Sequence, residues 1–202
     1  MDFAVLFVVS ALIFCNLGCS VISTRGSQSH AAGVVKISQG GGAIVVADAP
    51  NGADLQTGGG KIYVKSARQF VEATTGAGEI VIDAIDGSVQ ATTGSGNVNV
   101  TMVGNPDTGN RDVAIASSSG DVTLVVPAGL AMNLDLKLAY THTKNQFRIV
   151  SDFPLNQRET DQWSSDEGTP RKYIFGTGQI GTGRNQIKIH TVNGNIYLKR
   201  GQ

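Results

Sequence analysis

The stretch Ala73-Thr74-Thr75-Gly76-Ala77-Gly78-Glu79-Ile80 has a close copy in Ala91-Thr92-Thr93-Gly94-Ser95-Gly96-Asn97-Val98, where each residue number is higher by 18. Self-similarity at a fixed period is the signature of a repeat architecture. Glycines keep the same step over a longer range, in one series Gly42, Gly60, Gly78 and Gly96 and in another Gly40, Gly58, Gly76 and Gly94. The central part of the chain therefore divides into 18-residue rows.

Apolar residues occupy five columns of this layout. The columns are Ile44, Ile62, Ile80 and Val98; Val46, Val64, Ile82 and Val100; Val35, Ala53, Val71 and Val89; Ile37, Leu55, Ala73 and Ala91; and Ala49, Ala67, Ile85 and Val103. Within a row, column members such as Ile80 and Ile82 lie two residues apart, which places them on one face of a strand. Each row therefore predicts two short strands joined by a tight glycine turn.

One row cannot bury its apolar face by itself, but stacked rows can, with their backbones paired about 4.8 Å apart. The sequence therefore predicts an all-β, single-domain parallel β-solenoid over residues 33–202. It would consist of 18-residue rungs, each with two short strands.

The repeat becomes less regular towards the C-terminus. The spacing from Gly96 to Gly120 is wider than the regular step, which predicts an inserted loop at residues 103–110. The segment Ile187–Leu198 predicts the last rung, with the charged Lys199 and Arg200 closing the stack at a sheet edge. Residues 151–183 are polar and show little period, so they predict a long loop.

The N-terminal residues 1–19 predict a signal peptide. An apolar run, AVLFVVSALIFC, is too short for a typical membrane-spanning helix and precedes Asn16-Leu17-Gly18-Cys19. This segment resembles the bacterial lipoprotein pattern, in which cleavage before Cys19 is followed by lipidation of that residue. An ordinary secreted protein and an uncleaved anchor are the alternatives, and residues 20–32 are expected to be a linker.

Composition argues against nucleic acid as a partner and against a disulfide in the domain. The 202 residues hold 16 basic and 16 acidic side chains, and a net charge of zero argues against a nucleic-acid ligand. Both cysteines, Cys15 and Cys19, lie in the N-terminal segment, so no disulfide is expected in the domain.

Several motifs resemble catalytic or ligand-binding sites, but their sequence context does not fit such sites. The pattern Gly176-Thr177-Gly178-Gln179-Ile180-Gly181 matches a dinucleotide fingerprint, but a strand pattern follows it where that fold needs a helix. The outward acids Glu79, Asp83, Asp86 and Asp121 are scattered, and His30, His142 and His190 lack ligand spacing. We therefore predict no catalytic, cofactor-binding or metal-binding residues and no cofactor.

The two copies quoted first and the ending Asn185-Gln186-Ile187-Lys188-Ile189-His190-Thr191-Val192-Asn193-Gly194-Asn195-Ile196 resemble the bacterial putative-adhesin β-solenoid family, a domain of unknown function. The resemblance covers about residues 33–200. It implies a repeat domain on an envelope protein, and it carries no catalytic residues to this chain.

Three functions remain as expectations. The first is a non-enzymatic protein of the outer membrane, the cell surface or the secreted fraction, presenting polar residues such as Asn97, Asn99 and Thr101 to a protein or glycan. The second is a structural or regulatory envelope domain that binds another protein. The third is a carbohydrate-active β-helix enzyme, in which loss of turnover on Asp83→Asn would be diagnostic.

Overall fold

A computed structural model describes residues 33–141, 147–165 and 168–201. The predicted all-β class is confirmed, because these residues form strands and turns without a helix. The strands are β1 (Val35–Gln39), β2 (Ile44–Val46), β3 (Ala53–Thr57), β4 (Ile62–Val64), β5 (Ala67–Thr75), β6 (Ile80–Thr93), β7 (Val98–Met102), β8 (Val113–Ser117), β9 (Val122–Val126), β10 (Met132–Tyr140), β11 (Ile149–Ser151), β12 (Asn156–Glu159), β13 (Lys172–Ile180), β14 (Asn185–Val192) and β15 (Ile196–Arg200).

All 15 strands belong to one curled sheet, which contains two ladders of neighbouring strands. The first ladder runs in the order β1, β3, β5, the second half of β6, β8, β14, β10, β13 and β12. The second ladder runs in the order β2, β4, the first half of β6, β7, β9, β15 and β11. The long strand β6 therefore belongs to both ladders.

The first rows pair in parallel, and each residue pairs with the one at the same position of the next row. Val35 pairs with Ala53 and Ala53 with Val71 in the first ladder. Ile62 pairs with Ile80 and Ile80 with Val98 in the second. The inward side chains of both ladders form one buried cluster, and this shared core holds the two ladders together.

Close contact between rows explains the glycine columns. A Cβ atom on Gly96, whose φ is +144°, would lie 2.3 Å from the carbonyl oxygen of Gly78. Those turn carbonyls are partnered by a column of buried hydroxyls from the first ladder. The hydroxyls of Thr57, Thr75, Thr93, Ser117 and Thr191 donate to the carbonyls of Gly42, Gly60, Gly78, Gly96 and Gly120. These polar groups can therefore be buried, because each hydroxyl donates a hydrogen bond to a carbonyl oxygen.

The last rung of the sequence is not the last rung in space. Strand β14 lies between β8 and β10, with parallel partners on both sides. Strand β15 likewise lies between β9 and β11. The chain thus passes over one rung position after β9 and fills it with its final strands. Lys199 and Arg200 pair with β9 on one side, whereas the pairing with β11 ends at Leu198. The two charged residues thus extend past β11.

The long loop expected at residues 151–183 is also corrected, because much of that segment is strand. Strand β13 runs antiparallel to β10 over nine residues, and β12 runs antiparallel to β13. Its inward positions include Gly176 and Gly178, whose missing side chains leave room for Leu155. Two glycines at inward positions hid the alternation on which strand prediction depends.

One column residue is shifted by one position. Between Ile82 and Ile85, β6 carries an irregularity, so that Ile85 pairs with Met102. Met102 is buried, whereas Val103 is 37% exposed. The fifth apolar column therefore ends at Met102 rather than at the predicted Val103.

A buried arginine fixes the insertion at residues 103–110. Arg111 is 1% exposed, and its guanidinium donates to Asp86 Oδ1 at 2.5 Å. The same group donates to the carbonyl oxygens of Val103 and Asn105. One side chain therefore ties the base of the loop to the middle of β6, with the fork geometry that a guanidinium provides.

We expect Arg111→Lys to lower the free energy of unfolding by about 2 kcal/mol, because an ammonium cannot reproduce the fork and leaves buried carbonyls unpartnered. Urea unfolding measures the change. Arg184→Lys is the control, since the exposed Arg184 donates to Asp107 and Gly109 of the same loop from outside. Equal losses in both variants would contradict a special role for the buried fork.

The N-terminal predictions lie outside the described residues. They comprise the signal peptide at 1–19, lipidation at Cys19 and the linker at 20–32. Within the described ranges, no helix is long and apolar enough to cross a membrane.

Candidate functional site

The outer face of the first ladder carries an open depression over β8. On β8 the outward residues are Ala114 and Ala116, whereas the flanking strands carry longer side chains. Gln90 and Thr92 of β6 pair with the two alanines on one side, and Lys188 and His190 of β14 pair with them on the other. The short side chains of β8 therefore form the floor of a hollow between taller neighbours.

Two adjoining depressions of about 510 and 590 Å³ meet over β8 and share Gln90, Ala114 and Lys188. Together they form what we call the alanine trough. It crosses the strands from β5 to β13, which is five strand spacings or about 24 Å. Its polar and charged lining comprises Glu72, Ser88, Gln90, Thr92, Asn110, Asp112, Asp135, Lys137, Gln186, Lys188 and His190, and Phe70 and Phe175 stand at its two ends.

Charge is distributed unevenly along the alanine trough. Glu72 and Asp112 line the half near Phe70. Lys137 lines the half near Phe175, together with Asp135, and Lys188 lines both halves. In register, Lys188 pairs with Asp135 and His190 with Lys137. One half of the trough is therefore acidic, and the other carries more positive than negative charge.

Hydrogen bonds orient the polar lining. The backbone N–H of Gln186 donates to Asp112 Oδ1 at 2.7 Å, and the backbone N–H of Asp112 donates to Asn110 Oδ1 at 2.8 Å. The amide of Gln90 reaches Glu72 Oε1 at 3.4 Å. Glu72, Gln90 and Gln186 stand on paired strands, and Asn110 and Asp112 lie in the connection just before β8. A ligand would therefore meet a preformed surface.

Two stacked aromatic rings at the β13 end each carry a contact with a cation. The Lys137 ammonium lies 4.6 Å from the centroid of the Tyr173 ring, and the Arg158 guanidinium lies 5.2 Å from that of Phe175. The rings of Tyr173 and Phe175 stack at 5.9 Å. Cations over ring faces are attracted by the ring quadrupole, so this end of the outer face combines positive charge with apolar area.

A second aromatic group lies at the end of β10. Tyr140 is in edge contact with Trp163 at 5.8 Å and in tilted contact with Phe147 at 6.4 Å. Its hydroxyl hydrogen-bonds Glu159 of β12. Burial, followed by this hydrogen bond, raises the pKa of Tyr140 to about 12. The Tyr140–Glu159 pair thereby links β12 to the end of β10.

The raised pKa of Tyr140 predicts a loss of stability in alkali. The unfolded phenol loses its proton near pH 10, and the folded one only near pH 12. Between these values the native state binds more protons, so the free energy of unfolding falls as pH rises. Thermal unfolding measured across this window should show a weaker dependence in Tyr140→Phe. Glu159→Gln should lower the phenol pKa in a spectrophotometric titration, and an unchanged titration would contradict this link.

Three of the outward acids considered above form contacts with other side chains of the chain. Asp83 accepts a hydrogen bond from the Tyr63 hydroxyl at 2.5 Å, and this bond raises the pKa of Tyr63. Glu79 forms an ion pair with Lys61 at 2.9 Å, and Asp86 pairs with the buried Arg111. These acids thus have structural partners in the described surface, and the contacts do not gather them into one site.

Asn97 and Asp121 belong to a structural ladder at the start of the second-ladder strands. The Asp121 N–H donates to Asn97 Oδ1 at 2.9 Å, the Asn195 N–H to Asp121 Oδ1 at 2.7 Å, and the Arg148 N–H to Asn195 Oδ1 at 3.0 Å. Asn99 donates to Glu79 at 3.0 Å. Of the three residues expected to present a binding surface, Asn97 and Asn99 are therefore committed to contacts within the chain.

The alanine trough was missed by the sequence analysis, although a signal was present. Outward positions of neighbouring rows carry Gln, Thr, Lys and His, and only the β8 row carries alanine at both of the corresponding positions. The insertion that precedes β8 broke the 18-residue layout just before this row. Among the described residues, no group of three or more His, Cys, Asp and Glu side chains is placed to hold a metal ion.

The fold and the surface together define the class of protein. It is an all-β protein with a β-solenoid-like sheet and an open polar trough on one outer face. Residues 35–199 match the family Toastrack DUF4097, and the chain belongs to this family of domains of unknown function. This family match does not indicate adhesion. The adhesin role implied by the resemblance therefore stays a prediction. No curated protein and no solved structure matches the chain.

Proposed function

We propose that the protein is a non-enzymatic component of the bacterial cell envelope. Its domain would be a parallel β-solenoid built on 18-residue rungs, and its role would be adhesion or contact with another envelope molecule. The single observation that carries this proposal is the alanine trough. It is long, open to solvent, lined by polar groups on paired strands and closed at both ends by an aromatic ring.

The shape of the trough favours binding of an extended molecule. A length of about 24 Å across the strands exceeds what one small ligand would fill. At the centre of the trough the floor is formed by the methyl groups of Ala114 and Ala116. Polar walls with an apolar floor resemble the anatomy of a recognition surface, in which polar groups set orientation and apolar area excludes water.

We expect Ala116→Arg to abolish attachment of the full chain to cells or envelope fractions of its host, because a long side chain would fill the trough. Ser38→Arg is the control. It introduces the same side chain at an exposed position of the same face, on β1 at the other end of the ladder. Attachment is measured by sedimentation with envelope fractions. Equal attachment of both variants would exclude the alanine trough as the contact surface.

The envelope part of the proposal is tested at Cys19. We expect palmitate labelling of the wild type and no labelling of Cys19→Ala. Protease treatment of whole cells then separates the two envelope roles. Cleavage from outside supports adhesion, and protection supports a structural or regulatory role facing the envelope interior. Absence of label from the wild type would contradict the lipid anchor and leave a secreted domain or one anchored in another way.

A further inference from the structure

The lining of the alanine trough indicates the chemistry of its ligand, and the inference below rests on the proposed function. Planar amide and carboxylate groups dominate the walls of the half near Phe70. Gln90 donates to Glu72 Oε1 at 3.4 Å, and Asp112 Oδ1 accepts from the Gln186 N–H at 2.7 Å, so the hydrogen-bonding groups stand in adjacent pairs. Each of the two carboxylates keeps a second oxygen as an acceptor. Such pairs suit a ligand with neighbouring hydroxyl groups, because each hydroxyl both donates and accepts.

An aromatic ring closes each end of the trough. The Phe70 ring covers the backbone of Gly52, where an added Cβ would lie 2.4 Å from a ring carbon. The Phe175 ring is stacked against Tyr173. Both rings are therefore held in place and only partly buried. The Phe175 ring already contacts Tyr173 and the Arg158 guanidinium. Phe70 is therefore the ring that offers an apolar face to a ligand whose own faces are made of C–H groups, as those of a sugar ring are.

Positive charge marks the other half. Lys188 is exposed beside the methyl floor, in register between Ala114 and Asp135. Lys137 lies one strand further along, in register with His190. Asp135 offsets one of the two ammonium charges. The positive charge left in this half favours an anionic group at this point of the ligand, through a charge-assisted hydrogen bond. Glu72 and Asp112 disfavour a second anionic group at the Phe70 end.

We propose that the alanine trough binds an oligosaccharide that carries carboxylate groups. Its hydroxyls would meet the walls formed by Glu72, Gln90, Asp112 and Gln186, and a carboxylate would meet Lys188. The sugar-ring faces would lie on the alanine floor and against Phe70. An acidic polypeptide shares the carboxylates but lacks the vicinal hydroxyls that the amide-rich half would recognise.

The test is titration calorimetry of the full chain with oligogalacturonate, the neutral galactose oligomer of matched length, and polyglutamate. We expect binding of oligogalacturonate only, and binding that weakens as salt is added. Lys188→Gln should weaken binding about tenfold, as expected for loss of one charge-assisted hydrogen bond. Lys36→Gln is the matched control, because it removes the same charge from the same face on β1, away from the trough.

Equal binding of the neutral oligomer, or an unchanged affinity in Lys188→Gln, would overturn the assignment of an acidic sugar. Preferential binding of polyglutamate would replace it with an acidic polypeptide. Absence of binding to all three probes would overturn it as well. The proposed function is judged separately, by envelope attachment of Ala116→Arg. If that variant loses attachment while none of the three probes binds, the contact surface stands and only the ligand class fails.

Discussion

Ile80→Asp is expected to prevent stable folding. Ile80 is fully buried between Ile62 and Val98 of the second ladder. The substitution removes a large apolar side chain from the core and places a carboxylate among apolar neighbours. Together the two effects cost about 5 kcal/mol, which is as large as the whole stability of many domains. Circular dichroism and urea unfolding at neutral pH should show a largely unfolded chain.

Val81→Asp is the matched control for this prediction. Val81 is the next residue of β6, but its side chain points outward and is only partly buried. The same carboxylate there remains in contact with water, so we expect a loss within about 1 kcal/mol. Similar unfolding of the two variants would show that the inward and outward faces of β6 have been assigned wrongly.

Gly96→Ala is expected to have the second largest effect. An added Cβ would lie 2.3 Å from the carbonyl oxygen of Gly78 and 2.5 Å from its carbon. Both atoms are backbone of the neighbouring rung, so they cannot move aside as a flexible side chain would. The φ of +144° adds a conformational penalty for any residue with a Cβ. Steric overlap and backbone strain together predict a loss of about 4 kcal/mol in the free energy of unfolding.

The control is Gly59→Ala, at the middle position of an equivalent turn. There an added Cβ would be 3.9 Å from the nearest atom, the carbonyl oxygen of Ala77. The next rows carry Ala77 and Ser95 at this position, which shows that a side chain fits. We expect a change within about 0.5 kcal/mol, or slight stabilisation through the unfolded state. Thermal unfolding of the two variants side by side decides between them, and equal melting temperatures would contradict the role of rung contact.

The sequence alone determined the β class, the strand faces and the glycine turns of the regular rows. Alternation with period two identifies the inward face of a strand wherever the inward side chains are large, as at Ile80 and Ile82. A glycine column identifies a turn packed against its copy. These features are local, or are repeated at a fixed distance, so one row carries the information needed to predict the next.

Only the tertiary structure decided which rungs are neighbours after β9. Ile187 and Ile189 of β14 fit beside Val113 and Ile115 as well as beside Leu134 and Leu136. Apolar columns of similar size do not specify the order in which rungs stack. Longer connections also add little to the entropy of loop closure, so the chain can return from a distance to fill a gap.

The strand β13, the buried Arg111 and the alanine trough depend on the same long-range packing. Gly176 and Gly178 face inward because β13 pairs with β10, and Leu155 packs beside both glycines. Ala114 and Ala116 form a trough floor only because β14 brings Lys188 and His190 alongside them. The alternation of side chains indicates which face of its own strand a residue occupies. It does not indicate which strand will lie beside that residue. The fold class could therefore be predicted from one row, whereas the candidate site required the stacked sheet.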